Sequence, residues 1–473
     1  MRSAEAETIA GLVAKARAAQ VIADRYDQTG ADRLVAAAAW AIMEPARNRA
    51  LAELAVHDTG LGNVPDKIQK NHRKTLGLIR DLHGARSVGV INEDAALGIT
   101  EIARPAGVVG AITPSTNPGA TPANMIINAM KGRNAIILAP SPKGYSTAAL
   151  LLSYVHEEFD RIGAPRDLVQ LLPAPVNKAL TNELLKQVDL VVATGSQANI
   201  KAAYSSGTPA FGVGAGNVSV IVDRSADLTG AAKRIVRSKT FDNATSCSSE
   251  NSAVIDAAVY EAMLAALAAQ GCVLLDAAEK AQLQAVLFPA GKLSADLTAK
   301  SAGEIARAAG IDRAATAHVL MVEETGVGPD FPFSGEKLSP VLAVYRAADF
   351  DAAAAQVATI YAYQGAGHSV GLHAAPGAAD ALAMRLGLAL PVARVIVNQA
   401  HCIATGGSFD NGLPFSLSMG CGTWGGNSFS ENLGYRHFLN ITRIARPIAP
   451  READVERLLG DYLAQSGRRS TAF

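Results

Sequence analysis

The chain has 473 residues, 49% apolar and 18% charged, a globular composition long enough for two or three domains. Its 43 Lys and Arg balance 43 Asp and Glu, so no overall basic field exists to draw in nucleic acid or an acidic membrane. The four cysteines, Cys247, Cys272, Cys402 and Cys421, show neither a CxxC pair nor metal-ligand spacing, and their scarcity suits a reducing, cytoplasmic setting over a disulfide scaffold.

The N-terminal stretch carries acidic residues early and reads as a helix, not a signal peptide. No apolar run reaches the length of a membrane span. Residues 3–86 read as helices, because apolar residues recur three and four apart in IAGLVAKARAAQVIA and ADRLVAAAAWAIM. Short β-like runs follow at 87–91, 98–104 and 107–113. Strands and helices then alternate: strand 134–140, helix 146–162, strand 167–172, helix 176–187, strand 188–194, helix 197–205 and strand 217–222. That alternation predicts βαβ units and a mostly parallel sheet. Continuous apolar strands such as NAIILAP and VDLVVAT suit a sheet covered on both faces. Further strands at 253–255, 273–275, 341–345, 369–373 and 394–398 predict a second α/β domain. Residues 406–426 read as loop. FLNITRIAR at 438–446 reads as an exposed strand that alternates like 99–104, and the two are expected to pair across subunits of a homodimer or homotetramer.

Cys247 stands in KTFDNATSCSSEN, residues 239–251. A thiolate is a strong nucleophile toward a carbonyl, and its pKa decides its reactivity. A lone cysteine is ordinarily a small buried apolar residue, but Thr245, Ser246, Ser248 and Ser249 make this run polar. About thirty residues upstream, AFGVGAGNVSVIV is a glycine-dense turn that suits close approach of a planar cofactor to the backbone. It matches GxGxxG only in part, which alone is weak. It holds no Glu, Asp or His between Gly212 and Asn217, so an acyl-enzyme on Cys247 lacks a carboxylate there to activate water.

In AITPSTNPG, Thr113 ends a strand and Pro114 and Pro118 bracket a turn. Asn117 either presents its amide to a developing oxyanion or serves as a helix cap. Gly195 and Ser196 form a strand-to-helix turn, where free N–H groups and the helix dipole favour a pyrophosphate; a plain turn is the other reading. Ser141 and Lys143 follow a strand that ends without an acidic residue, a charge pattern leaning to NADP over NAD unless the lysine is merely solvated. His368 in YQGAGHSVGLH is either an acid–base group or a loop or core histidine. Glu336 in GEKLSP either bonds a ribose hydroxyl or is an ordinary surface charge.

Together DKIQKNH, TPSTNP, AYSSGTPAFGVGAGN, SKTFDNATSCSSE, EKLSPVLAVYRA, GAGHS and GCGTWGGNS, in this order along nearly the whole chain, resemble the CoA-acylating branch of the aldehyde dehydrogenase superfamily. The resemblance implies an α/β fold with two doubly wound parallel-sheet domains plus a small β oligomerisation flap. A cofactor-binding domain is expected over 1–232, with 97–106 contributing to the flap. A catalytic domain carrying Cys247 is expected over 233–425, and a C-terminal return segment with the oligomerisation strand over 426–473. The resemblance makes Cys247 the nucleophile and Asn117 the oxyanion donor, and puts Glu336 at the nicotinamide ribose, with His368 an acid–base candidate. The expected cofactor set is Thr113, Pro114, Ser141, Lys143, Gly195, Ser196, Val213, Gly214 and Glu336. Val213 stands where hydrolytic members carry a glutamate base. The implied reaction is oxidation of a small aldehyde by NADP (or NAD), through a thioester on Cys247, to an acyl-CoA, with coenzyme A as co-substrate. Within the branch the pattern looks most like the members that act on sulfoacetaldehyde, with His401, Thr405 and Ser408 expected around the sulfonate. An NAD-dependent acetaldehyde or propionaldehyde enzyme is the alternative. A hydrolytic semialdehyde dehydrogenase is a further one, and it needs a carboxylate that the region of Val213 lacks.

Overall fold

The computed structural model describes residues 3–214 and 216–467; the outermost ends of the expected first and last segments, and position 215 in the glycine run, lie outside them. Four helices open the chain: Ala4–Ala23, Gln28–Met43, Pro45–Thr59 and Val64–Leu82. Ser3, Asp27, Glu44 and Asn63 cap them through side-chain oxygens, and proline occupies the first turn of the third and fourth. The fourth inverts the usual helix pattern. Its buried residues include Lys67, Lys70 and Lys74, three and four apart and therefore on one face. Lysines turned inward are tolerable only where partners wait for them.

Among the described residues there are three sheets. The five-stranded parallel sheet runs Val169–Leu171, Ala135–Pro140, Val108–Thr113, Leu190–Thr194, Ala210–Val213. Chain order reverses between Val108–Thr113 and Leu190–Thr194, so a crevice opens at their carboxyl ends. Val108–Thr113 and Ala135–Pro140 are buried throughout, as their unbroken apolar character requires. The seven-stranded parallel sheet runs Cys272–Leu274, Val319–Glu323, Val341–Ala347, Glu250–Asp256, Val218–Val222, Val370–His373, Val395–Val397. Alternate residues of its strand Val218–Val222 face opposite cores: Ile221 packs on one side, Val220 and Val222 on the other.

Three expectations are corrected. Ala210–Val213 is a strand, not a turn; a Cβ on Gly212 would come within 2.8 Å of Ile200, so that glycine lets the preceding helix close on the strand. Val319–Glu323 is a strand that the sequence reading passed over. Val218–Val222 already pairs with Glu250–Asp256 and Val370–His373, so the second sheet begins after the crossing at 214–217 and not at 232.

The third sheet is antiparallel, ordered Gly89–Asp94, Ile99–Pro105, Leu439–Ala445. The two strands expected to meet across subunits pair within one chain, Asn440 opposite Arg104. The returning segment is held there because Phe429, Leu433 and Phe438 are buried in the core of the five-stranded sheet. No helix among the described residues is long and apolar enough to cross a membrane.

Candidate active site

The carboxyl edge of the five-stranded sheet faces the amino edge of the seven-stranded sheet across a cavity of about 470 Å³. Thr113, Ser141, Thr194 and Gly195, from the ends of three strands, line one side. Cys247 and Glu336, each just before a strand of the second sheet, line the other.

Cys247 follows three consecutive non-glycine residues with left-handed backbone: Asp242 at φ 50°, Asn243 at 51° and Ala244 at 59°. Each such residue costs about 1–3 kcal/mol and persists only where its surroundings over-determine it. Here they do. The Asp242 N–H donates to Asp66 Oδ2 at 2.7 Å, and Asp242 Oδ1 accepts the Asn63 N–H at 3.0 Å. Asp242 Oδ2 accepts from Lys67 at 3.1 Å, Lys70 at 2.5 Å and Thr245 Oγ1 at 2.7 Å. Two of the inward lysines of Val64–Leu82, Lys67 and Lys70, thus flank one buried carboxylate, which they hold below its usual pKa against the opposing effect of burial. Burial pushes Lys67 down to about 8, with the Asp242 charge acting the other way.

Lys70 also reaches Asn117, donating to Oδ1 at 2.8 Å. The Asn117 amide nitrogen has only a long 3.5 Å contact with Thr116 Oγ1, so its N–H groups remain available. The alternative role as a helix cap falls to the backbone: Gly119 is the cap of Ala120–Lys131, and the Asn117 carbonyl accepts the Thr121 N–H. The Cys247 N–H donates to no other residue among those described. Two donors on residues that line the cavity with the sulfur are therefore unengaged.

His368 is buried, and its Nε2 lies 3.4 Å from Cys247 Sγ. Its Nδ1 is 2.7 Å from Ser369 Oγ, which is 2.8 Å from His401 Nε2. Burial, helped by Arg394, pushes His368 down to about 3, and burial pushes His401 well below its ordinary value; both imidazoles are neutral at pH 7. If Nε2 is the acceptor for the thiol proton, Nδ1–H donates to Ser369 Oγ and that hydroxyl donates to His401. Burial, then the Glu336 and Cys421 charges, push the Cys247 thiol up. The residue is only half-buried and opens on the cavity, which tempers the effect.

Glu336 accepts the Gly216 N–H on Oε1 at 3.2 Å, and burial pushes it up to about 8. Gly216 has no room for a side chain, since a Cβ would come within 2.4 Å of the Cys247 carbonyl oxygen.

Of the expected cofactor set, Thr113, Pro114, Ser141, Gly195, Ser196, Gly214 and Glu336 line the cavity. Thr113 Oγ1 is buried without a partner, a vacant polar contact on that wall. Ser196 caps Gln197–Tyr204, accepting from Asn199 N–H at 3.3 Å, so the turn does present a helix N-terminus to the cavity. Val213 is buried behind the lining, where its carbonyl accepts the Gly195 N–H. Lys143 is exposed on the turn Pro142–Gly144 and does not reach the lining.

The loop expected to solvate a sulfonate has its hydroxyls engaged elsewhere. His401 is tied to Ser369, Thr405 Oγ1 donates to the His401 carbonyl, and Ser408 Oγ donates to Asp410; none of the three lines the cavity. Arg73 and Lys74 line it instead, and sequence reasoning missed them. The available signal was the spacing of Lys67, Lys70 and Lys74, which puts three cations on one helical face.

A sequence model of the aldehyde dehydrogenase family matches residues 1–282. A sulfoacetaldehyde dehydrogenase (acylating) from Cupriavidus necator is 67% identical over 467 residues, covering 98% of this chain and 94% of its own. Another, from Bilophila wadsworthia, is 40% identical over 469 residues, covering 98% and 100%. The crystal structure of an acetylating aldehyde dehydrogenase from Geobacillus thermoglucosidasius matches with a TM-score of 0.90 at 35% identity, covering 96% of this chain and 100% of that one.

Proposed function

The chain belongs to the acylating branch of the aldehyde dehydrogenase family, and on that premise we propose that it oxidises sulfoacetaldehyde to sulfoacetyl-CoA with NADP through a thioester on Cys247. The observation that carries the chemistry is the Cys247 Sγ to His368 Nε2 distance of 3.4 Å, in a cavity that the unengaged Asn117 amide also lines. The 67% identity to the sulfoacetaldehyde enzyme supports the substrate.

His368 is the proton acceptor on the strength of geometry: its Nε2, 3.4 Å from Sγ, takes the thiol proton in concert with attack on the aldehyde carbon, because burial leaves the imidazole too weakly basic to form the thiolate beforehand. The Asn117 Nδ2–H and the Cys247 N–H hold the developing oxyanion. Bound NADP supplies the hydride acceptor when the tetrahedral adduct collapses. The acyl group remains on Cys247 as a thioester until the CoA thiol, losing its proton to solvent, attacks it; Cys247 departs as thiolate and regains from His368 the proton given up at the start. Glu336 carries the carboxylate among the described lining residues, and with its pKa raised to about 8 it is mostly protonated at pH 7. It is a poor base for water, which favours transfer to a thiol over hydrolysis. Protonated, it keeps a hydroxyl for a ribose oxygen while accepting the Gly216 N–H.

The cofactor set fits NADP: Thr113 Oγ1 lacks a partner, the Gly195–Ser196 turn offers helix N–H groups, and Lys143 stands exposed beyond Ser141 for a 2′-phosphate. The edge strand Leu439–Ala445, largely exposed, supports association into a homodimer or homotetramer. All four cysteines are unpaired, in keeping with a reducing cytoplasm.

The test is an aldehyde panel (sulfoacetaldehyde, acetaldehyde, propionaldehyde) with NAD and NADP, with and without CoA, followed at the reduced-nicotinamide absorbance. CoA-dependent turnover, fastest with sulfoacetaldehyde and NADP, is expected. Preference for the uncharged aldehydes would remove the substrate, and steady release of free acid without CoA would remove the acyl transfer.

A further inference from the structure

The proposed substrate carries a permanent negative charge, and the following inference rests on that reading. The helix Val64–Leu82 brings Lys70, Arg73 and Lys74 to the cavity wall. Lys70 is committed to Asp242, Asn117 and Thr245. Lys74 is buried and donates to the Gly406 carbonyl at 2.6 Å and the Gly407 carbonyl at 3.4 Å. Arg73 differs. Its Nη2 donates to the carbonyls of Ile403 at 3.3 Å and Gly407 at 3.4 Å, and to Ser408 Oγ at 2.9 Å. Among the described residues its Nε and Nη1 have no acceptor, and no carboxylate pairs with it.

Asp410 offsets this charge only from beyond Ser408, with no direct pair, so an anionic ligand finds a cation whose remaining N–H groups are not engaged by the protein. The guanidinium is also held in place. Phe415 lies under it, with Arg73 Cζ 5.4 Å and Lys74 Nζ 5.5 Å from the ring centroid and Arg80 Cζ at 4.9 Å. The ring fits only because Gly77 lacks a side chain; a Cβ there would come within 2.2 Å of it. Together the ring and three oxygen acceptors fix the fork, so little rotamer freedom remains to be lost on binding.

Arg73 lies three residues beyond Lys70 on the helix, and both line the cavity that also holds Asn117 and Cys247. A small aldehyde held at Cys247 therefore shares its cavity with this cation. We propose that Arg73 binds the sulfonate of the aldehyde through Nε and Nη1, which makes the helix Val64–Leu82 the specificity element of the enzyme. The loop 401–408 then has a different part from the one its hydroxyls suggest: it positions Arg73 and does not touch the sulfonate.

The test measures kcat/KM for sulfoacetaldehyde and propionaldehyde in wild type, R73Q and R73K, with NADP and CoA. Removing the cation weakens transition-state and ground-state binding of the charged aldehyde and leaves the uncharged one without a lost partner. The ratio of the two kcat/KM values is therefore expected to fall about a hundredfold or more in R73Q, chiefly through KM, and less in R73K, which keeps the charge but loses the fork. Equal losses on both aldehydes would overturn the proposal, since a purely structural role predicts them. Inhibition of propionaldehyde oxidation by ethanesulfonate is the second readout, available in R73K should R73Q not fold. Competitive inhibition in wild type that weakens at least tenfold in R73K supports the site; unchanged inhibition overturns it. This arm also separates the two readings, because an Arg73-dependent anion site would stand even if wild type preferred propionaldehyde.

Discussion

Lys70 Nζ donates to Asn117 Oδ1 at 2.8 Å, and that bond decides which end of the amide faces the cavity. An asparagine in the opposite orientation would set its carbonyl oxygen against a developing oxyanion. The helix Val64–Leu82 thus acts on the reaction without touching the reacting atoms. Lys70→Met is expected to lower kcat by about tenfold to a hundredfold, and Asn117→Ala by about a hundredfold to a thousandfold. Single-turnover reduction of the nicotinamide, measured beside thermal unfolding, checks it. An unchanged kcat in a folded K70M protein contradicts the orienting role.

Cys247→Ser is expected to abolish aldehyde oxidation. In wild type given aldehyde and NADP but no CoA, the peptide carrying Cys247 should gain the acyl mass, and added CoA should remove it. A peptide that stays unmodified while nicotinamide is reduced would exclude the thioester.

Glu336 gives stability a pH dependence of known sign. Its folded pKa, about 8, lies above the ordinary 4.5, so the folded state holds a proton that the unfolded chain has released. Its contribution is fully present below pH 4.5 and is lost as pH rises through 8. Glu336→Gln is expected to remove this loss. Its stability relative to wild type should therefore grow by about 3 kcal/mol between pH 6 and pH 9. Urea unfolding at the two pH values measures it, and a flat difference contradicts the raised pKa.

Asp242→Asn leaves Lys67 and Lys70 buried beside a neutral group and loosens the left-handed turn before Cys247. Removing one member of a buried ion cluster costs about 3–5 kcal/mol. Urea unfolding should show a loss of that order, accompanied by a fall in kcat. A fully stable D242N protein would mean that the turn is held by its backbone bonds alone.

Much of this was legible from the sequence because strand runs such as AIILAP permit only one environment, and because Cys247 and Asn117 sit in polar turns with distinctive neighbours. What escaped notice did so for physical reasons. Ala210–Val213 is short and carries a glycine, so it lacks the apolar run that marks a buried strand. Cations on a helix ordinarily face water; that Lys67, Lys70 and Arg73 turn inward depends on Asp242, Asn117 and Phe415, all distant in sequence. The hydroxyls of 401–408 looked free as a string, but folding commits them to His401, Arg73 and Asp410. Composition counts hydrogen-bonding groups and cannot tell which of them are already in use.

Gly216 ties the join between the two sheets to the reactive residue. It presses so closely on the carbonyl of Cys247 that not even a methyl group fits between them. Any side chain at this position, even that of alanine, would push the backbone behind the sulfur, so the join cannot be altered without moving the nucleophile.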